Sequence, residues 1–173
     1  MNKVIVEDEL LDLVDQNDNV IGKLERSKVY EAGLSNFRVI NCFIVNDSGQ
    51  MWIPRRTKHK RLFPCCLDVS VGGHVSSGET YDEAFVRELY EEAGLSIDTI
   101  SYKELGSMTP HEHGVSAFTH IYLISSNEVP PFNRNDFSEY YWLYPHEVLE
   151  RITTIDKAKG DLPLFIRHFF VDR

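Results

Sequence analysis

Cysteine is scarce in this chain. Only Cys42, Cys65 and Cys66 occur among 173 residues. None belongs to a Cys-x-x-Cys pair, so neither a zinc ribbon nor a dithiol redox motif is present. The neighbours Cys65 and Cys66 are poor disulfide partners, and an odd count without a secretion signal reads as reduced and cytoplasmic. Long apolar runs are also missing. No stretch approaches 18 residues, which excludes a helical membrane span. The opening Met1-Asn-Lys-Val-Ile-Val-Glu-Asp has no apolar signal core and turns acidic early. Positive charge is in deficit, with 18 Lys and Arg against 27 Asp and Glu and a net charge of −9. Such a balance argues against nucleic acid or anionic membrane as a partner. There is no repeat, low-complexity tract or linker composition. The length suits one hydrophobic core, so a single domain over 1–173 is expected, with 1–35 supplying an N-terminal strand pair and short helix.

What is present alternates between strand and helix signals. Residues 10–15 and 20–25 read as strands around the Asn17-Asp18-Asn19 turn, and 27–32 as a short helix stopped by Gly33. Residues 39–45 and 50–54 flank Asn46-Asp47-Ser48-Gly49 as a hairpin. Residues 67–71 form a short strand entering a bend at Gly72-Gly73. Strands follow at 99–108, 116–125 and 140–143. Pro145 suits the first position of a helix near 146–152, and 162–171 reads as a final amphipathic helix.

The densest information lies between 73 and 95. Gly73 is followed six residues later by Glu79, and then comes Arg87-Glu88-Leu89-Tyr90-Glu91-Glu92-Ala93-Gly94-Leu95. Residues 80–93 read as a helix. Thr80 is a good N-cap with Glu83 three residues on, and Gly94 supplies the left-handed stop. About 100° per residue puts Glu88, Glu91 and Glu92 on one face. Val86, Leu89, Tyr90 and Ala93 are then expected to pack on a sheet. Arg87 lies four residues from both Glu83 and Glu91 and can brace a carboxylate. A merely soluble face would alternate its signs. Here like charges stand at i,i+4, which costs roughly 0.2–0.5 kcal/mol, and two of them crowd the anion-repelling end of the helix. Concentrated carboxylates of this kind suit a hard, oxygen-seeking cation, above all Mg²⁺ or Mn²⁺.

The pattern resembles the Nudix box, with each defined position filled. The resemblance implies an α+β fold, an α/β/α sandwich with a mixed central sheet and the box helix packed on it. It implies that Glu88, Glu91 and Glu92 carry Mg²⁺ or Mn²⁺ and the catalysis, with the Gly72 carbonyl as a further ligand. Gly73, Glu79 and Arg87 would support the site. The implied reaction is hydrolysis of a phosphoanhydride in a small-molecule diphosphate, nucleoside-linked or otherwise. A homodimer is compatible with the family. Outside the box, residues 10–149 are similar to the branch near isopentenyl-diphosphate isomerase, including Arg55-Arg56, Lys60, Phe63-Pro64 and Ser70-Val71-Gly72-Gly73-His74. On this likeness Arg56 and Lys60 bind the substrate's diphosphate. The isomerase chemistry needs a cysteine where Gly72 stands, a carboxylate pair near 117–119 and a histidine at the place of Asn36. All three are missing and the box is whole, which favours a hydrolase over an isomerase. A nucleotide-sensing module without turnover is the remaining alternative.

Other residues carry weaker signals. The segment Arg55-Arg56-Thr57-Lys58-His59-Lys60-Arg61 concentrates cations in an acidic chain and reads either as a solvated loop or as a phosphate grip. His111 and His113 could share a strand face as metal ligands, but no third ligand is evident and a polar hairpin tip is the simpler reading. Glu112 is a weak candidate base. Asp136 and Glu139 precede Trp142, where the family resemblance places an extra loop acid. Glu139 is the first choice for that catalytic role. Cys42 reads as core packing.

Overall fold

A computed structural model describes residues 8–172; the first seven residues of the expected N-terminal unit lie outside it. The elements run β1 (Leu10–Val14), β2 (Val20–Glu25), α1 (Arg26–Glu31), β3 (Arg38–Val45), β4 (Met51–Arg56), β5 (Val71–His74), α2 (Tyr81–Ala93), β6 (Tyr102–Met108), α3 (Pro110–His113), β7 (Phe118–Ser125), β8 (Phe137–Leu143), α4 (Pro145–Thr154) and α5 (Leu162–Ile166). The α5 helix continues as a wider π turn over Arg167–Val171.

The main sheet has the order β6-β7-β3-β4-β8, with β5 also on β3. β3 and β7 are parallel and the other pairs antiparallel, so the sheet is mixed. Alternation along β3 sends Ile40, Cys42 and Ile44 to one face, where they meet Phe85, Leu89 and Ala93 of α2. Phe43 faces the other way, joining Ile53, Val148 of α4 and Phe165 of α5. A helical layer thus covers each face, the sandwich expected from the sequence. β1 and β2 form a separate two-stranded ribbon.

The hairpin expected around Asn46–Gln50 opens at once. Only Val45 and Met51 pair before β3 and β4 diverge, and β5 then takes over Val39–Cys42 of β3. Ser70 fills the fork. Its buried hydroxyl accepts from Ile44 N at 2.8 Å and donates to the Trp52 carbonyl at 2.7 Å. Those two backbone groups would otherwise be orphaned where the strands part.

Three local expectations change. Gly72 and Gly73 lie within β5 and not in a bend. His111 and His113 sit on a one-turn helix started by Pro110, because proline at N1 and Gly114 in the left-handed region favour a closed turn over a hairpin tip. On α2, Val86 and Tyr90 are exposed, while the buried stripe is Ala84, Phe85, Leu89 and Ala93. The helix is turned so that Glu88 is buried beside that stripe, against β5.

Candidate active site

The local chemistry of α2 follows the sequence closely. Thr80 Oγ1 accepts from Glu83 N at 3.2 Å, and Glu83 Oε2 accepts from Thr80 N at 2.8 Å, closing the capping box. Gly94 ends the helix at φ 64°. Phe85 stacks on Tyr122 of β7 at 4.1 Å and 2° between ring planes. This anchors the helix so that its glutamates meet the two glycines of β5. The glycines are needed for room. A Cβ on Gly73 would stand 2.0 Å from Glu88 Oε1.

Arg87 organises the carboxylates. Its Nε and Nη2 donate to the two oxygens of Glu79 at 2.7 and 2.9 Å. Nη2 also donates to the His74 carbonyl at 2.9 Å, and Nη1 to Glu88 Oε1 at 2.8 Å and Glu91 Oε2 at 3.5 Å. Glu79 Oε2 additionally accepts from Ser76 N at 2.9 Å. One guanidinium therefore ties the loop, the strand and the helix together. Glu92 Oε2 accepts from Gly72 N at 3.0 Å.

Burial acts on these acids differently. Glu79 is held below the usual carboxylate range, chiefly by its bonds to Arg87. Burial pushes Glu88 up to about 7, with Arg87 opposing and Glu91 and Glu9 adding. Burial and the nearby Glu88 push Glu92 up to about 8. Both carboxyls therefore hold their protons more tightly than an exposed acid does, although Arg87 and Lys159 oppose the shift. Among the described residues no three His, Cys, Asp or Glu groups stand converged as a metal cage, since Glu88 and Glu91 lean on Arg87 and Glu92 on Gly72. The donor set is nevertheless all oxygen, which fits a hard divalent cation.

The glutamates line a cleft of about 720 Å³. The same cleft is lined by the basic side chains of Arg56, Lys60, Arg61 and Lys159. Lys60 pairs with Asp136, which also lines the cleft. Arg56 is buried; its Nη1 donates to Asp68 at 2.8 Å, while Nε and Nη2 donate to the Leu62 carbonyl at 3.1 and 3.0 Å. Arg56 thus borders the cleft but spends three of its N–H groups shaping the loop. Lys58 is exposed and lies outside the cleft lining.

Glu139 is not brought to this site. On β8 it bonds to Arg55 and accepts from Tyr141 Oη at 2.8 Å, because strand alternation turns it away from the cleft. Asp136, in the loop before β8, is the acid of that segment that lines the cleft. His113 Nδ1 accepts from Thr109 N at 3.0 Å and His111 packs on Phe118, so the pair forms no shared site. Cys42 is buried in the core as expected. Asn36 donates to the Val14 carbonyl at 3.1 Å, a structural bond to β1.

Sequence reasoning missed Lys159, Glu9, Arg26, Tyr30 and Asn133 as cleft residues. None sits in a motif. Each arrives through the tertiary fold, Lys159 because its N–H bonds to the Leu67 carbonyl at 2.8 Å. His74 is enclosed at the back of the cleft, with Nε2 2.8 Å from Tyr30 Oη. Burial and the neighbouring Arg26, Lys159 and Arg87 push its pKa down to about 3, so it is neutral.

A capped helix presenting three glutamates beside a diglycine strand, on this sandwich, defines a class. The chain matches the family model described as NUDIX domain over residues 36–164, and it belongs to the Nudix family of hydrolases. It is 49% identical over 164 residues to an uncharacterized Nudix hydrolase of Nostoc sp., covering 95% of this chain and 97% of that one. A crystal structure of a Deinococcus radiodurans protein superposes with a TM-score of 0.88 at 45% identity, covering 94% of this chain and 99% of the other. More distantly, it is 26% identical over 147 residues to an isopentenyl-diphosphate delta-isomerase of Photorhabdus laumondii, covering 81% and 82% of the two chains.

Proposed function

We propose that the protein uses Mg²⁺ or Mn²⁺ to hydrolyse a phosphoanhydride bond in a nucleoside diphosphate-linked or other organic diphosphate. Nudix hydrolases in general use divalent metal ions. The observation that carries this reading is a single cleft lined both by Glu88, Glu91 and Glu92 and by Lys60, Arg61 and Lys159. Glu88, Glu91 and Glu92, with the Gly72 carbonyl, would hold the cation. When bound, it supplies a more acidic water and neutralises phosphate oxygens. The chain's own part is positional. Arg87 keeps the acids in place, and Lys60 and Lys159 offer ammonium groups to the phosphate oxygens that do not react. Lys60 must exchange Asp136 for substrate, so Asp136 holds the ammonium in the cleft until a phosphate arrives.

The isomerase alternative lacks its chemistry. No thiol stands at Gly72, and Thr119 accepts a hydrogen bond from Asn41 at 2.9 Å, with no carboxylate in that stretch. Phosphate release should be followed over a panel of nucleotide sugars, dinucleotides, nucleoside di- and triphosphates and isoprenoid diphosphates, with and without Mg²⁺. Turnover that needs the metal and vanishes in Glu91→Gln is the expected result. Binding without turnover would indicate the sensing module instead. Isopentenyl diphosphate in deuterated water should return unlabelled, and label entering at enzymatic rates would overturn the hydrolase reading.

A further inference from the structure

The β1–β2 ribbon and α1 lie before residue 36, where the match to the family model begins. They nevertheless pack against the part of the chain that carries the glutamates. Alternation along β1 sends Leu11 and Leu13 into a small core with Val29 of α1 and Phe37. Asp12, between them, faces the other way and is half-buried. There it meets the loop that links β5 to α2. Its Oδ1 accepts from Ser77 Oγ at 2.6 Å, and its Oδ2 accepts from Gly78 N at 3.0 Å. The backbone runs alongside, with Leu11 bridged to Ser76 and Ser77 N donating to the Leu10 carbonyl at 2.7 Å. At the ribbon's turn, Asp18 accepts from Arg38 Nε at 2.7 Å and from Tyr81 Oη at 2.9 Å, where α2 begins. The ribbon thus holds the loop at both ends.

That loop seats Glu79. Ser76 N donates to Glu79 Oε2, and Glu79 N donates to the Ser76 carbonyl, both at 2.9 Å. Glu79 in turn occupies Nε and Nη2 of Arg87, which leaves Nη1 for Glu88 and Glu91. A guanidinium held in this way cannot turn fully onto the helix acids. Loosening the loop would free it to do so, and carboxylates gripped by an arginine are poorer ligands for a cation.

We propose, on the divalent-cation reading above, that Asp12 is a positioning residue for the cation site and acts through the loop at 76–79. Glu9 also reaches this loop, accepting from Ser76 Oγ at 2.9 Å, but it lines the cleft and could touch a bound ion directly. Asp12 lies outside the cleft lining, so the loop is its route to the glutamates. The part it plays is one of shape and not of charge. Asparagine at this place could still accept from Gly78 N and could donate to Ser77 Oγ, keeping both contacts without the negative charge.

Mn²⁺ binding to the full chain, followed by EPR of the free ion, tests the assignment without any substrate. Asp12→Ala should bind Mn²⁺ about tenfold more weakly than wild type, the lower end of what loss of a ligand-orienting contact costs. Asp12→Asn should stay within about twofold of wild type. Val148→Ala, in the core on the far face of the sheet, should lower Tm and leave Mn²⁺ affinity unchanged, which separates positioning from a general loss of stability. If Asp12→Ala fails to fold by circular dichroism, Ser77→Ala decides, with an expected weakening of about threefold for the one bond removed. Wild-type affinity in Asp12→Ala would overturn the inference. Asp12→Asn as weak as Asp12→Ala would overturn it too, by showing that charge and not shape is what Asp12 supplies. A wild type that binds no Mn²⁺ would likewise overturn it. Turnover of a diphosphate with equal Mn²⁺ affinity in all variants would remove the role of Asp12 and leave the hydrolase intact. The expected weakening and its rescue by asparagine, with no diphosphate hydrolysed, would support the role of Asp12 and remove the hydrolase.

Discussion

Replacing Glu92 by glutamine should stabilise the metal-free protein while destroying its activity. In the folded chain the Glu92 carboxyl is raised from 4.5 to about 8 by burial and by Glu88. A carboxyl whose folded pKa exceeds its unfolded one holds its proton longer when folded. Stability is therefore intact below about pH 4.5 and falls as pH rises toward 8. At about 1.4 kcal/mol per pKa unit, the loss attached to Glu92 is at most about 4 kcal/mol at pH 8. Part of it is repulsion shared with Glu88, so about 2–3 kcal/mol should return on Glu92→Gln. The glutamine keeps an oxygen that can still accept from Gly72 N. For a chain of this length the gain corresponds to a Tm rise of roughly 4–12 °C at pH 8, shrinking to less than about 1 kcal/mol at pH 5. Thermal melting in EDTA at the two pH values measures it directly. Millimolar Mg²⁺ should then raise the wild-type Tm and leave the variant almost unmoved. A variant no more stable than wild type at pH 8, or a gain equally large at pH 5, would refute the account of Glu92 as a half-buried acid whose charged form is disfavoured.

Other outcomes follow from the cleft's construction. Lys60→Ala should lower kcat/KM about 10- to 100-fold at low salt by removing a charge-assisted phosphate contact. Lys58→Ala should have little effect, and equal small losses from both would return the loop to a merely soluble role. Glu139→Gln should leave kcat unchanged, as its carboxylate serves a half-exposed pair with Arg55 and costs less than about 1 kcal/mol in a denaturation curve. A large kcat loss would place it back among the catalytic acids. Gly73→Ala should keep the fold, since the group it strikes is the flexible end of Glu88, but activity should fall at least about tenfold as Glu88 is displaced. Retained activity would show that Glu88 is not needed where it stands.

The box helix was readable residue by residue because its determinants are local. Thr80, Glu83 and Gly94 act within one turn of themselves, so cap, start and stop all follow from the sequence. The orientation of the helix was not readable. Leu89 and Ala93 face the core as expected, but Val86 and Tyr90 do not, because the glycines of β5 admit Glu88 where a larger strand residue would exclude it. The fork at Ser70 was likewise hidden. Asn46-Asp47-Ser48-Gly49 encodes a reversal, but the groups freed where the two strands part are met by the hydroxyl of Ser70, far along the chain. Glu139 and Asp136 show the same limit, since both are acids near the right strand and only the register of β8 decides which one meets the cleft. Lys159 had no signal at all, for a single lysine in an irregular segment gains meaning only through the bond that places it.

The forked sheet has a consequence for how such a protein can change. The basic excursion between β4 and β5 leaves and re-enters through paired backbone groups, Arg56 N to the Cys66 carbonyl at 2.9 Å and Asp68 N to the Pro54 carbonyl at 3.0 Å. Inside that gate the Arg56 side chain grips the Leu62 carbonyl, and Thr57 and Lys60 tie the loop to Asn135 and Asp136 just before β8. It therefore behaves as a cassette. Its length and charge can be rewritten between fixed posts while the acid-bearing helix, anchored on the far side of β5, keeps its place. Grafting the segment from a relative of different substrate preference would exchange one anion grip for another without rebuilding the core.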